Sequence, residues 1–505
     1  ASIVRSARLL SRHCHPTRPL RTLVARPWPR FSVNALPVDN TRRMEETNAS
    51  ISQNDALESS GGGSPEHDNA EDPSIWRRRI GRVAGVVLFV GLALAPVPDG
   101  LSPAAWTTAA VGVLMACWWI TEALPIAATA LVPLVLFPLL GVREIGETAS
   151  PYANPLIFLF MGGFMVAVAM QRWMLHRRIA LSIVQRVGTR PKRVVIGFIL
   201  ASAFLSMWVS NTATALMMLP TGLSVIELTR ERLGERLESE ADASAPFHFG
   251  IVLVLSIAYA CNIGGVGTLI GTPPNAILAG FFSESYGVEI GFAQWMAVGL
   301  PLVAVMLPLA YLVLTTVFPI RIDTLPGGAD IIDEEVRKLG PLSTAETRVA
   351  LVFGGAATLW IVRPLLSTVV PSISDAGIAV TAALALFLLP AGEGEGRRLL
   401  SWDEAETLPW GVLLIFGGGL SLASAIEGTG LAAWIGEGVG HLAGAPMLAI
   451  VLAAVVLIVF LTEITSNTAT TATFLPILGA IAVGIGENPF LLAVPAAMAA
   501  SCAFM

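Results

Sequence analysis

Charged residues are scarce in this chain: they make up 13% of its 505 residues, whereas 54% are hydrophobic. Soluble globular domains carry about 25% charged residues, so most of this surface is not expected to face water. The mean hydropathy of +0.70 agrees with that expectation. Apolar runs at 83–97, 104–120 and 124–141 approach the roughly 20 residues that cross a bilayer. We therefore predict an all-α polytopic membrane protein.

The chain also has little of what several other classes of protein need. Its four cysteines show neither metal-site nor disulfide spacing, so we expect them to be packing residues: Cys14, Cys117, Cys261 and Cys502. A net charge of −6 indicates no nucleic-acid partner. The sequence contains no His/Asp/Glu cluster and no nucleophile–base pair. An enzyme in the membrane is therefore disfavoured.

The first 76 residues differ in composition from the rest. Residues 1–43 contain nine Arg, no Lys and a single acid, Asp39, which is typical of an organelle transit peptide. The alternative is that they are translated upstream sequence and that Met44 is the true start. Residues 44–75 are polar and rich in Gly, Ser, Asp and Glu, so we predict that residues 1–76 form a disordered extension.

Basic residues predict the orientation of the chain. Four arginines within Trp76–Arg82 precede the first apolar run, which favours a cytoplasmic N-terminus. Four spans are predicted, near 83–98, 104–121, 124–141 and 155–171. They return the chain to the cytoplasm at 172–193, where seven basic residues and apolar residues at every fourth position indicate an amphipathic helix in the interface.

A short polar motif occurs twice, each time inside an apolar segment. Ser-Asn-Thr-Ala-Thr occupies 210–214 and again 466–470. A Phe/Gly-rich segment begins 50 positions before each copy, at Phe160 (210 − 160) and at Phe416 (466 − 416). Matched polar breaks in two apolar halves are typical of transporters built from structural repeats. Because 427–446 has no Lys or Arg whereas its counterpart 172–193 has seven, the repeat is predicted to be inverted.

The apolar segments around the motifs, 194–226 and 447–485, are each long enough for two helical legs. A re-entrant helical hairpin that turns at the motif fits better than a straight helix, because broken backbone is tolerated only where it lines a cavity. The Gly-rich run Asn262–Thr268, followed by Gly271–Asn275 with two prolines, cannot continue as a regular helix. The helix near 248–284 should therefore be discontinuous and face the first hairpin tip.

These segments define two predicted repeats. The first, 77–292, holds scaffold helices, the interfacial helix, the first hairpin 194–226 and the broken helix 248–284. The second, 293–505, holds scaffold helices and the second hairpin 447–485. The remaining helices are predicted near 292–319, 347–362, 376–391 and 409–426.

The residue types of the motifs favour ions as cargo. Backbone carbonyls and Ser, Thr and Asn oxygens suit a small cation, whereas amides, hydroxyls and a helix N-terminus donate to an anion. No Lys or Arg lies near either motif, so cations would have to balance an anionic substrate. A cation-coupled symporter is predicted. The alternatives are a proton-coupled or exchange-type carrier, an anion channel, or a motif that only joins neighbouring helices by hydrogen bonds.

The sequence from about residue 80 to 505 resembles the divalent anion/sodium symporter family, which carries dicarboxylates, citrate and sulfate. The resemblance rests on the two Ser-Asn-Thr motifs, on Trp118–Pro125 and on Gly271–Asn275. It implies sodium-coupled symport of a divalent anion (succinate, malate, citrate or sulfate), with a C4 dicarboxylate such as succinate favoured. It also implies a homodimer that works by an elevator movement, with sodium as the coupling ion and no other cofactor. The expected location is the plasma membrane, or an organelle membrane if residues 1–43 are a transit peptide.

The resemblance also implies the binding residues. One sodium site is carried over to Ser206, Ser210, Asn211 and Gly271. A second sodium site is carried over to Thr462, Thr465 and Asn467. The substrate carboxylates are carried over to Asn211, Thr212, Asn467 and Thr468. Asn211 and Asn467 are then expected to approach each other near the bilayer midplane, on hairpins that enter from opposite faces.

The end of the sequence and two carboxylates at membrane depth lead to further predictions. By symmetry a second Thr-Pro-Pro break should follow the second hairpin, so we expect that the sequence is truncated at Met505, inside the second sodium site. Glu122 and Glu463 lie at or near membrane depth, where carboxylates are candidate functional residues. Glu463 corresponds to Met207 of the first half, so it lies outside the symmetric site. We predict that Glu463 supports the second hairpin.

Overall fold

Helices make up almost all the regular structure in the part of the chain that the structure describes. This computed structural model describes residues 73–188, 190–237, 245–320, 322, 328–392, 396–440, 444–502 and 504. The helices, in chain order, are α1 (Pro73–Leu94), α2 (Pro103–Thr121), α3 (Ile126–Thr129), α4 (Val132–Leu139), α5 (Ile145–Ala149), a 3-10 turn (Ser150–Ala153), α6 (Pro155–Arg172), α7 (Leu175–Val187), α8 (Pro191–Ser206), α9 (Asn211–Leu237), α10 (Ala245–Gly265), α11 (Pro273–Tyr286), α12 (Phe292–Val317), α13 (Gly328–Lys338), α14 (Thr344–Leu366), α15 (Asp375–Leu388), α16 (Trp402–Ala405), α17 (Trp410–Gly428), α18 (Leu431–Gly438), α19 (Met447–Ile464), α20 (Asn467–Gly484) and α21 (Phe490–Ala500).

Many of these helices have the length and composition of membrane spans. Within the described ranges, eight helical segments are long and apolar enough to cross a membrane: Pro103–Thr121, Ile145–Arg172, His248–Gly265, Phe292–Val317, Thr344–Leu366, Trp410–Gly428, Met447–Ile464 and Asn467–Gly484. The predicted class, an all-helical polytopic membrane protein, is confirmed at this level.

Local sequence fixes where several helices begin. Ser102 caps α2 by accepting a hydrogen bond from the Ala105 N–H, and Pro103 follows at the first helical position. Asn154 caps α6 in the same way, with Pro155 after it. A polar side chain accepts an N–H that lacks a partner within the helix, and proline has no N–H to leave unpaired. Short polar segments can therefore start helices that are otherwise almost wholly apolar.

The helices of the two halves begin and end at matched positions. Counterparts lie 256 positions apart (467 − 211 = 256), and four pairs of boundaries follow this spacing: the ends at Arg172 and Gly428, and the starts at Leu175 and Leu431, Pro191 and Met447, and Asn211 and Asn467. The residues just before Leu175 and Leu431 also match. They are Met174 and Gly430, and both have left-handed φ angles, of 55° and 83°. The repeat in the sequence is thus repeated in the helices.

Two helix pairs stand out within this repeat. We call α8 with α9 the first helix pair, and α19 with α20 the second helix pair. The helix that follows each pair packs against both of its members: α10 against the first pair and α21 against the second. The helix α11 packs against α17 and α20 and so connects the two halves.

Glycines let some of these helices approach very closely. A Cβ atom added to Gly264 of α10 would lie 2.3 Å from the Ala203 carbonyl oxygen of α8. A Cβ atom on Gly162 of α6 would lie 2.6 Å from the Ala379 carbonyl carbon of α15. No side chain fits at either contact, so each glycine sets the distance between two helices.

The structure corrects several predicted boundaries. The first helix begins at Pro73 rather than near residue 83, so the arginines of Trp76–Arg82 lie inside α1. Arginine is a good helix former, and an apolar run marks only the apolar part of a longer helix. The predicted span 124–141 is divided into α3 and α4. The helix α13 was not predicted, because it is short and amphipathic rather than apolar.

Other predictions lie outside the described residues. The expected disorder of 1–76 concerns residues that the structure does not describe, except for 73–76, which belong to α1. The prediction of two repeats with boundaries at 77–292 and 293–505 stays a prediction, although the matched helix boundaries agree with it.

The contact at Gly264 generates a test of packing. Gly264→Ala should lower the melting temperature of the purified protein, because the new methyl group overlaps the Ala203 backbone. Such overpacking reduces the free energy of unfolding by about 1–3 kcal/mol. Gly91→Ala in α1 is the matched control, since a Cβ there would meet nothing within 4 Å. The control should melt unchanged or slightly higher. Equal melting temperatures for the two variants would contradict the packing described.

Candidate functional site

Both copies of the polar motif lie where two helices join. In the first helix pair, α8 ends at Ser206 and α9 begins at Asn211. In the second helix pair, α19 ends at Ile464 and α20 begins at Asn467. Each motif asparagine is therefore the first residue of the second helix. The side chains of the motif occupy the turn itself, where the main-chain ladder of the helix is interrupted.

The same side-chain hydrogen bond closes both turns. The Ser206 hydroxyl donates to Asn211 Oδ1 over 2.6 Å, and the Thr462 hydroxyl donates to Asn467 Oδ1 over 2.6 Å. In each case the donor lies five residues before the acceptor and on the preceding helix. The bond therefore links the last turn of one helix to the first residue of the next. It also gathers two oxygen atoms at each turn.

The gap between α10 and α11 is held open by one buried asparagine. Asn275 is fully buried, and its Nδ2 donates to the carbonyl oxygens of Gly265, at 3.0 Å, and Thr268, at 2.7 Å. Pro273 and Pro274 come just before it and prevent the helix from continuing backwards. The predicted break in the helix near 248–284 is present, between Gly265 and Pro273.

This break lies against the first turn. Asn211 Nδ2 donates to Asn262 Oδ1 over 3.3 Å, and the Thr268 hydroxyl donates to the Met207 carbonyl. A Cβ atom on Gly265 would lie 2.4 Å from Asn211 Oδ1, so a side chain at this position would displace the Asn211 amide. A Cβ atom on Gly271 would likewise lie 2.4 Å from the Gly265 carbonyl oxygen. Ser206, Asn211 and Gly271 are thus grouped around Gly265.

The second turn has its own group of oxygens. The Thr462 hydroxyl oxygen also lies 2.9 Å from the Ala500 carbonyl oxygen, at the end of α21, so its single proton is shared between this carbonyl and Asn467 Oδ1. The hydroxyls of Thr465 and Thr470 lie 2.5 Å apart. Hydroxyl, amide and carbonyl oxygens are the ligands that transporters use for small cations. Both turns therefore have a donor set suited to sodium.

The two turns differ in exposure. Ser210 and Thr212 of the first turn are exposed, and Asn211 is half-buried. In the second turn Asn467 is half-buried, but Thr468 is buried, with 8% of its surface exposed. The substrate residues predicted for the first turn are thus more accessible than those for the second. The expected approach of Asn211 to Asn467 stays a prediction.

A cavity of about 140 Å³ lies behind the first turn. Its lining residues come from α6, α7 and the first helix pair, and they are Gln171, Met174, His176, Leu205, Val209, Ala213, Thr214 and Met217. The Thr214 hydroxyl is buried and has no hydrogen-bond partner among the described residues. Burial lowers the pKa of the His176 imidazole, which contacts the Met170 carbonyl oxygen at 2.8 Å. The cavity is therefore lined by neutral groups.

A second cavity, of about 220 Å³, occupies the related place in the other half. It shares three repeat-related positions with the first cavity, because Glu427, Gly430 and Ala432 correspond to Gln171, Met174 and His176. Both cavities therefore touch the left-handed joint of their half.

The two carboxylates singled out in the sequence are both engaged. Glu463 Oε1 accepts a hydrogen bond from the Phe504 N–H over 2.7 Å, close to the second helix pair. This contact supports the chain beside the second turn, in line with the predicted structural role. Glu122 accepts from Arg77 over 2.8 Å and ends α2 in a left-handed conformation. Its contacts are with α1 rather than with either turn.

Three residues of the first site were missed as site residues in the sequence. Asn262, Thr268 and Asn275 were noted only as parts of a helix-breaking run, yet each bonds at the break or at the first turn. The signal was available, because an asparagine within an apolar helix or beside its breakers needs a polar partner. Which carbonyl or amide it would reach depended on the tertiary fold.

Comparisons with known proteins identify relatives of this chain. Residues 77–505 match the profile of a family described as the sodium:sulfate symporter transmembrane region. The chain is 45% identical over 431 residues to a sodium-dependent dicarboxylate transporter, SdcS, of Staphylococcus saprophyticus, which covers 84% of this chain and 82% of that protein. It is 43% identical to the SdcS of Staphylococcus aureus, with the same coverage.

The role of Asn275 generates the test for this site. Asn275→Ala should leave the carbonyls of Gly265 and Thr268 without their donor, which costs about 1–3 kcal/mol for a buried group. We expect a lower melting temperature and a smaller rise in that temperature on adding sodium chloride in place of choline chloride. The exposed Asn488→Ala, whose Oδ1 accepts from the Phe490 N–H, is the control and should keep the sodium response. A full sodium response in Asn275→Ala would contradict a role at the site.

Proposed function

Because the chain belongs to the sodium:sulfate symporter family, we propose that it is a sodium-coupled symporter of a divalent anion, with a C4 dicarboxylate such as succinate as its substrate. The family is one of transporters, not of enzymes. The observation that carries the proposal is the pair of matched turns, each closed by a hydroxyl–asparagine hydrogen bond. The names of the similar proteins support the choice of a dicarboxylate.

We assign one sodium ion to each turn. The first would be held by Ser206, Ser210, Asn211 and Gly271, and the second by Thr462, Thr465 and Asn467. The 2.6 Å separation of the hydroxyl and Oδ1 oxygens at each turn supports this assignment, because one small cation can contact both atoms. The free carbonyls of a broken helix add further oxygen ligands.

The substrate is proposed to lie between the two turns, on Asn211, Thr212, Asn467 and Thr468. Each asparagine can then serve both ions, with Oδ1 toward sodium and Nδ2 toward a carboxylate. The helices α9 and α20 begin at these asparagines, and a helix N-terminus favours an anion. Two sodium ions would balance the two negative charges of the substrate, which an apolar environment otherwise penalises.

We further propose that the two helix pairs are re-entrant hairpins of an inverted repeat. The matched boundaries support a repeat, and Phe160 supports a twofold relation, because its ring lies 4.9 Å from that of its counterpart Phe416. Equivalent residues that touch each other lie near the axis that relates them. The contrast between seven basic residues at 172–193 and none at 427–446 supports inversion across the membrane.

The same charge pattern supports a cytoplasmic N-terminus in the plasma membrane. We also propose a homodimer in which the hairpin-bearing part moves against a scaffold. Few residues of Phe292–Val317 and Thr344–Leu366 are buried within the chain, 22% and 17% of their most apolar windows. These helices therefore have wide apolar faces that lipid or a second copy can cover.

Sodium dependence is the first test. Uptake of labelled succinate into proteoliposomes should collapse when sodium is replaced by choline, because a dianion held only by hydroxyls and amides lacks its counter-ions. Uptake should resume when sodium is restored. Equal uptake driven by a proton gradient alone, without sodium, would favour the proton-coupled or exchange-type carrier instead.

Substitution at the motif is the second test. Thr212→Ala and Thr468→Ala each remove one hydroxyl donor. The expected loss of binding free energy is about 0.5–1.5 kcal/mol for a neutral hydrogen bond and more for a charged acceptor. We expect a raised apparent constant for succinate, with normal expression and melting temperature. Asn211→Ala and Asn467→Ala should be worse, because each asparagine is proposed to contact both ions.

The matched control for these variants is Thr316→Ala. Thr316 is exposed on α12, and its hydroxyl donates to the Leu312 carbonyl within the same helix. Its removal should leave succinate uptake unchanged. If the Thr212 and Thr468 variants lose expression while the surviving protein transports normally, the motif has only a structural role.

A further inference from the structure

The seven basic residues of 172–193 divide into two groups. Three of them, all in the first half of the segment, form ion pairs with carboxylates of other elements: Arg172 with Glu404, Arg177 with Glu335 and Arg178 with Glu346. The Arg178 guanidinium also donates to the carbonyls of Leu339 and Gly340. Arg177 and Arg178 fasten α7 to the rest of the protein, and Arg172 does the same for the end of α6. The charges of these three arginines are therefore already neutralised.

The other four have no such partner. Arg186, Arg190, Lys192 and Arg193 are exposed, and none of them has a carboxylate partner within the part of the chain that the structure describes. We call these four residues the basic patch. They surround the joint at which α7 ends and the first helix pair begins. Gly188 at this joint has a φ of 111°. The Cδ atom of Arg193 lies 3.3 Å from the position that a Cβ atom on Gly188 would occupy.

An exposed apolar face continues from the basic patch along α8. Leu200 and Phe204 are 44% and 38% exposed, and they lie 7 and 11 residues after Arg193. At about 3.6 residues per turn, these spacings put all three side chains on one face of the helix. Leu200 is then about 10 Å along the helix axis from Arg193, at a rise of about 1.5 Å per residue. A cationic end followed by an apolar stripe matches a lipid headgroup followed by its acyl chain.

The second half of the chain provides an internal comparison. The counterparts of Leu200 and Phe204 are Val456 and Phe460, which are 52% and 62% exposed, so the apolar face is repeated on α19. The counterparts of Arg190, Lys192 and Arg193 are Pro446, Leu448 and Ala449. The apolar face is thus common to both halves, as contact with a bilayer requires, whereas the cationic end belongs to the first half alone.

We propose that the basic patch binds the headgroups of anionic phospholipids, with an acyl chain lying along Leu200 and Phe204. Four unpaired cations beside a membrane-embedded helix attract acidic lipids. A soluble phosphate would need the cations but not the apolar face, which commits the patch to a lipid. The site lies at the joint before the first helix pair, so a bound lipid fastens the start of that pair to the membrane surface. This proposal does not depend on which substrate is transported.

The test compares lipid binding by the full chain and by a charge-reduced variant. Purified protein is mixed with phosphatidylglycerol or phosphatidylcholine, and bound lipid is counted by native mass spectrometry. Wild type should retain phosphatidylglycerol in preference to phosphatidylcholine. The triple variant Arg190→Gln/Lys192→Gln/Arg193→Gln should bind it about a hundredfold more weakly, at about fivefold for each charge removed.

Two further variants keep the result interpretable. Arg337→Gln/Arg397→Gln/Arg398→Gln removes three exposed charges outside the patch and should bind phosphatidylglycerol like wild type. Arg190→Lys/Arg193→Lys keeps the charge and should also bind like wild type. Raising the salt concentration should weaken the binding in every protein that shows it.

Three outcomes would overturn the proposal. The first is equal retention of the two lipids by wild type. The second is equal weakening in both triple variants, which would mean that net charge alone governs binding. The third is full displacement of the lipid by millimolar inorganic phosphate, which would assign the patch to a soluble anion. If the patch triple variant fails to fold, Arg190→Gln alone should still lose about fivefold.

Discussion

The backbone of a helix that stops inside an apolar environment leaves N–H and C=O groups without partners, and this constraint shapes the whole protein. Each such group costs several kcal/mol in hydrocarbon. The chain nevertheless interrupts its helices at three related places: before Asn211, before Asn467 and between Gly265 and Pro273. Short polar side chains supply some of the missing bonds. The Ser210 hydroxyl accepts from the Ala213 N–H, the Thr465 hydroxyl donates to the Leu461 carbonyl, and Asn275 donates to two carbonyls at the break.

Few polar side chains lie at these interruptions, so the proposed binding residues are also structural residues. Asn211 accepts from Ser206 and donates to Asn262, so its amide joins the first turn to the break. In the proposed function those two atoms face a cation and an anion. A site built in this way needs no charged side chain at its centre, and the ions can neutralise each other. The charged residues are then left for the ends of the helices.

Much of this was predictable from the sequence, because apolar length, Gly/Pro runs and a duplicated motif are local signals. The break after Gly265 and the two helix pairs follow from them. The start of α1 at Pro73 and the presence of α13 did not follow, since amphipathic or arginine-rich helices lack an apolar run. The bonds of Asn262 and Asn275 did not follow either, because they join segments whose meeting depends on tertiary packing.

The matched joints at Met174 and Gly430 have the same backbone shape but different energetics. In a left-handed conformation the Cβ atom of an ordinary residue lies too close to the backbone, which has a steric cost of roughly 1–2 kcal/mol. Glycine has no Cβ atom and avoids this cost. Glycine instead gives up more chain entropy when it is ordered. The first joint is therefore a strained link held by its surroundings, and the second is a relaxed one. The two halves repeat each other in shape without being equally stiff where they bend.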